Sequence, residues 1–120
     1  MRRLMTSILM MTALLVMTLM MTEARPKPQA AKRVTVKFSN FKFEPKVVTV
    51  SVGTTVEWIN EAGTHTIEAD NGAFTSATLS ANGKFEHKFD KPGTYAYHCN
   101  FHGSKGGKDM AGTIKVTAKK

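Results

Sequence analysis

The chain contains a single cysteine, Cys99, among its 120 residues. That excludes an internal disulfide and leaves a reactive thiol, half of an intermolecular bridge, or a metal ligand. Histidine is scarce as well: the four are His65, His87, His98 and His102, and no two stand as a His-x-His pair. Acidic side chains are few, nine against 17 lysines and arginines, for a formal charge of +8. The basic residues are scattered along the chain, and no aromatic-basic pattern accompanies them. Nucleic-acid binding is therefore not expected. There is no internal repeat, and no helical periodicity after residue 24.

Only one long apolar run is present. Met1-Arg-Arg is a short basic start, Leu4 to Met21 carries no charge, and Thr22 and Ala24 are small residues placed for a cut after Ala24. This tripartite layout predicts a secretory signal over residues 1–24. The rival reading is an uncleaved anchor, because the run approaches the length of a membrane helix. The methionines of this stretch belong to its apolar character rather than to a metal-scavenging motif. Residues 25–32, Arg25-Pro-Lys-Pro-Gln-Ala-Ala-Lys32, read as a flexible lead-in. Residues 33–120 are then one small domain. The expected location is periplasmic or otherwise exported, or membrane-anchored if the signal is retained.

Within the domain, short alternating runs follow one another. Val34, Val36 and Phe38 alternate with polar residues, and Phe41 and Phe43 continue an apolar face to Glu44-Pro45. Val48, Val50 and Val52 form a second run stopped by Gly53, and Val56 and Trp58 share one face of a third. His65 to Ala69 is a short strand, and a hairpin follows with Asn82-Gly83 as its turn. Phe85, His87 and Phe89 alternate on its second arm. Tyr95, Tyr97 and Cys99 share a face by parity, and Gly112 to Thr117 closes the domain. Seven to eight short strands with regular turn signals predict an all-β sandwich or barrel.

The lone cysteine sits in Tyr95-Ala-Tyr-His-Cys-Asn-Phe-His-Gly-Ser-Lys-Gly-Gly-Lys-Asp-Met110. A thiolate, an imidazole three residues on at His102, and a thioether at Met110 are a soft-ligand set that suits copper. An exported, unpaired thiol is exposed to oxidation, and a ligand role accounts for its presence. A second imidazole from His65 would complete a trigonal arrangement of two histidines and one cysteine with a weak axial methionine, the pattern of electron-transfer copper. The alternatives are a buried structural cysteine, a surface histidine at residue 65, or a tetrahedral zinc site, for which thioether is a poor ligand. His98 points to the opposite face from Cys99 and is read as a non-ligand; His87 is read as packed in its hairpin.

Phe41-Lys-Phe-Glu-Pro45, Val56-Glu-Trp-Ile-Asn60, His65-Thr66, Pro92-Gly-Thr-Tyr-Ala-Tyr-His-Cys99, His102 and Met110-Ala-Gly-Thr-Ile-Lys-Val116 together resemble the plastocyanin/amicyanin branch of the cupredoxins. The resemblance runs in order over nearly all of residues 33–117. It implies a Greek-key β-sandwich and one type 1 copper ion cycling between Cu(I) and Cu(II), with ligands His65, Cys99, His102 and Met110. It implies a one-electron carrier rather than an enzyme, with His102 the ligand nearest solvent, edged by Phe101, Gly103 and Ala111. Redox partner proteins with an acidic docking surface are expected, drawn by Lys105 and Lys108, with the carrier itself a monomer. The alternatives are a periplasmic copper chaperone or storage protein on the same fold, and an immunoglobulin-like sandwich with an incidental cysteine. A multicopper oxidase would need His-x-His pairs. The interval Gly103 to Asp109 is longer than in the plastocyanin and amicyanin patterns, and its glycines allow it to fold outward. Donors to the sulfur are expected from the Asn100 amide or the Thr66 hydroxyl.

Overall fold

The computed structural model describes residues 32–118. The leader at 1–24, residues 25–31 of the lead-in, and Lys119-Lys120 lie outside the described residues. Eight strands follow in order: β1 (Arg33–Ser39), β2 (Lys42–Glu44), β3 (Val47–Ser51), β4 (Thr54–Asn60), β5 (Glu68–Ala69), β6 (Lys84–Phe89), β7 (Gly93–Ser104) and β8 (Lys108–Thr117). No helix occurs among the described residues, so none there is long and apolar enough to cross a membrane.

The strands form two four-stranded sheets, ordered β2-β1-β4-β6 and β3-β8-β7-β5. β1 runs parallel to β4 and β3 parallel to β8; the other pairings are antiparallel. Alternation decides which face is buried. Val36 and Phe38 of β1, Val48 and Val50 of β3, and Val56 and Trp58 of β4 point inward, while Thr35, Lys37 and Thr49 point out. Trp58 lies at the centre, against Tyr97 across the sandwich with ring centroids 5.4 Å apart and against Phe74 and Phe85. Gly112 lets Tyr97 lie flat over β8: a Cβ there would sit 2.5 Å from the Tyr97 Oη.

Three local expectations change. Phe41 shares parity with Phe43 but not its burial: Phe43 is buried, whereas Phe41 stands at the tip of the β1–β2 turn, 61% exposed, with φ of 69°. Asn82-Gly83 is a turn but not the turn of a hairpin. Gly83 N–H donates to Ser80 O, and Asn82 N–H donates to Asn60 O, which leads the chain into β6 beside β4. The residues before it instead cross back to the segment following β4, through single bridges between His65 and Leu79 and between Glu68 and Thr75. The glycine-rich stretch after His102 does not splay outward as an open loop. β7 and β8 resume pairing there, Gly103 opposite Asp109 and Ser104 opposite Lys108.

Between His98, paired with Ala111, and Gly103, paired with Asp109, the ladder shifts register. Residues 99–102 of β7 therefore face the single residue Met110 of β8. The excess bends β7 and re-aims its side chains, as bulges do.

Candidate metal centre

The site starts from a buried amide. Asn60 ends β4 and is fully buried. Its Nδ2 donates to Gly63 O (2.8 Å) and Leu79 O (3.1 Å), and its Oδ1 accepts from Ala62 N–H (3.1 Å). This one side chain fixes the loop that delivers His65. Gly63 has φ of +81°, and a Cβ there would lie 2.9 Å from His65 Nε2. Glycine is thus required twice over, for backbone and for space. Asn60 is a functional residue that strand alternation does not single out; the Asn-Glu-Ala-Gly turn chemistry is its signal in the sequence.

His65 is 1% exposed. Its Nε2 lies 2.9 Å from Ala62 O. A carbonyl only accepts, so Nε2 carries the proton and Nδ1 presents a lone pair. Burial lowers the His65 pKa, and the neighbouring His102 adds to that, while the Ala62 carbonyl works the other way. The ring is kept neutral, the form that binds metal.

Its Nδ1 lies 3.1 Å from His102 Nδ1 and 3.7 Å from Cys99 Sγ, and His102 Nδ1 lies 3.7 Å from the same sulfur. These three donor atoms are positioned to hold one ion. Donors about 2.0 to 2.3 Å from a common centre and spread trigonally would be roughly 3.5 to 3.8 Å apart. The two sulfur–nitrogen separations fit, and the two imidazoles approach somewhat more closely. Cys99 is a free thiol with no exposure.

The hydrogen bonds around the sulfur differ from the expectation. Thr66 N–H, not its hydroxyl, points to Cys99 Sγ at 3.5 Å. The Thr66 Oγ1 is instead the acceptor for Asn100 N–H, at 2.8 Å. Thr66 thus ties the segment after His65 to the bulge after Cys99 at two points. Met110 is fully buried and lines a cleft with Phe41, His102 and Asp109. His98 is turned away, its Nδ1 2.8 Å from Asp70 Oδ1, and His87 packs between Phe74 and Phe89.

His102 is the half-buried member of the set. Its rim is apolar: Phe41 meets the imidazole edge-on, centroids 4.8 Å apart, and Phe101 stands beside it, 55% exposed. Asn40, Gly63 and Thr64 complete the opening. Gly103 is half-buried, but Ala111 is buried and paired with His98, not at the rim. Phe41 is the rim residue that parity counting missed, because a turn tip breaks the alternation.

A cupredoxin-like domain model matches residues 10–111 of the chain. Plastocyanin from Scenedesmus fuscus is 42% identical over 86 residues, spanning 62% of this chain and 85% of the relative. Plastocyanin from Prochlorothrix hollandica is 32% identical over 123 residues, 91% of this chain and 89% of the relative. Among solved structures, an oxidised amicyanin variant superposes with a TM-score of 0.62 at 25% identity, covering 75% of this chain and 85% of that one.

Proposed function

This chain belongs to the cupredoxin-like family, and from that premise we propose that it is an exported one-electron carrier whose ligands are His65, Cys99, His102 and Met110. Its cofactor is copper. The observation that carries the reading is the convergence of two imidazole Nδ1 atoms and one thiol sulfur within 3.1 to 3.7 Å of one another in a buried pocket. When bound, copper supplies the redox chemistry, one electron gained as Cu(II) becomes Cu(I) and returned in the reverse.

The chain's own residues supply what makes such exchange fast. His65 is locked by Ala62 O and cannot swing with the oxidation state. Cys99 gives a thiolate in a dry pocket with one N–H aimed at it, which tempers its charge. Met110 offers a neutral thioether from across the bulge. His102, framed by Phe41 and Phe101, is the route by which electrons enter and leave, since an apolar rim sheds water on contact with a partner. Lys105 and Lys108, exposed on the β7–β8 hairpin, steer a redox partner with an acidic surface. The protein turns over no substrate. We infer a monomer from the edges: β2, β5 and β3 run only three, two and five residues, and β6 carries Lys84, Glu86 and Lys88 outward.

Export rests on the leader at residues 1–24, and the mass of the protein recovered from its native compartment tests the cut after Ala24. The carrier reading is tested by the visible and paramagnetic resonance spectra of the copper-loaded protein. Intense red-region absorption and a narrow copper hyperfine splitting, altered in Met110→Leu, are expected. Colourless, readily released Cu(I) would favour a chaperone, and no stoichiometric uptake would sink the copper reading.

A further inference from the structure

Beyond the ligands, the long hairpin that joins two of them needs something to hold it. Past the bulge, β7 and β8 share only two residue pairs before the tip at Lys105-Gly106-Gly107. Every residue from Ser104 to Asp109 is exposed, and Gly106, Gly107 and Asp109 all have positive φ. A two-pair ribbon rich in glycine is marginal by itself. Yet its position sets how His102, at one foot, stands relative to Met110, at the other.

One side chain reaches the tip. Asp70 Oδ2 accepts from Gly106 N–H at 2.9 Å, while its Oδ1 lies 2.8 Å from His98 Nδ1. Asp70 is itself fixed to the sheet, its N–H donating to Ala96 O at 2.9 Å. Its carboxylate thus spans from the strand that carries Cys99 to the far end of the hairpin. Burial pushes the Asp70 carboxyl up, but the Gly106 amide and His98, with Lys105 nearby, more than offset this and hold it below the ordinary carboxylate value. The ionised form is the one engaged, and charge-assisted bonds of this kind are the stronger ones.

We propose that Asp70 is the positioning residue that braces the β7–β8 hairpin and so fixes the approach of Met110 to the site of His65, Cys99 and His102. The proposal rests on the copper reading for its effect on the metal, but not for the brace itself. Nothing in the strand pattern required a carboxylate at the end of β5; the hairpin's length creates the need.

The test compares Asp70→Ala with Asp70→Asn, whose amide oxygen still accepts from Gly106 and whose NH2 can donate to His98 Nδ1 once that ring carries its proton on Nε2. In the metal-free protein, amide exchange at Gly106, Ser104 and Lys108 is expected to quicken about tenfold or more in Asp70→Ala. Amides of β1 and β4 should stay at their wild-type rates. In the copper-loaded protein, Asp70→Ala should shift the reduction potential and the intensity ratio of the sulfur-to-copper absorption bands, and Asp70→Asn should restore both. Unchanged hairpin exchange in Asp70→Ala would overturn the brace. Faster exchange with unmoved potential and band ratio would overturn its influence on the site, as would an Asp70→Asn as far displaced as Asp70→Ala. A wild-type copper-loaded protein without such bands would sink the carrier reading and the tuning with it, while the exchange rates would still decide the brace.

Discussion

At the residue scale, the site depends on side chains that never touch the donor atoms. The fully buried Asn60 side chain satisfies three part-buried backbone groups at once. Asn60→Ala removes those bonds and leaves a void, at a cost of about 1 to 3 kcal/mol. Urea unfolding of the metal-free protein should show a loss toward the upper part of that range, and the same variant should bind copper more weakly, since the His65 loop loses its frame. Gly112 makes a different demand. Its missing side chain is the space Tyr97 occupies, and Tyr97 is itself 1% exposed and hemmed in by Phe43, Trp58 and Phe74. Gly112→Ala should cost about 1 to 3 kcal/mol through overpacking, read as a lower melting temperature.

At the scale of elements, β6 carries a pH dependence. His87 lies between the rings of Phe74 and Phe89, and burial lowers its pKa below 6.5, with Asp90 opposing in part. The folded chain therefore refuses a proton that the unfolded chain accepts. The stability from keeping His87 neutral is present above pH 6.5 and is lost as pH falls toward and through the lower folded value. Urea titrations across that window should show wild type losing stability faster than His87→Phe, with the two curves parallel above pH 7. The alternation that puts His87 on this face was plain in Lys-Phe-Glu-His-Lys-Phe, as were Val36, Phe38, Val56 and Trp58 in their strands. The bulge was not, because counting by two assumes that every residue has a partner, and residues 99–102 share one. The Asn82-Gly83 turn was legible as a turn but not in its connection. Its pairing partner, Asn60, lies about twenty residues back, beyond the reach of a local pattern.

At the scale of the molecule, the two sheets bring to one end the segment after β4 and the β7–β8 bulge, and with them the donor atoms of His65, Cys99 and His102, three of the four candidate ligands read from the sequence. Cys99, His102 and Met110 stood out as candidates by their spacing and the Met-Ala-Gly-Thr-Ile phrase. His65 was found because histidines are so few. The asymmetry of charge belongs to this scale too. With a formal +8 overall and Lys105 and Lys108 exposed on the β7–β8 hairpin, association with an acidic redox partner should slow as ionic strength rises. Lys105→Glu with Lys108→Glu should reduce the rate and flatten its salt dependence; a rate indifferent to both would remove the steering role.

The shared-ion claim is tested most directly by X-ray absorption at the copper edge of the loaded protein. The expected spectrum has one short sulfur and two imidazole nitrogens around a single copper, with the short sulfur lost in Cys99→Ser. A shell of nitrogen and oxygen without short sulfur in the wild-type protein would contradict it.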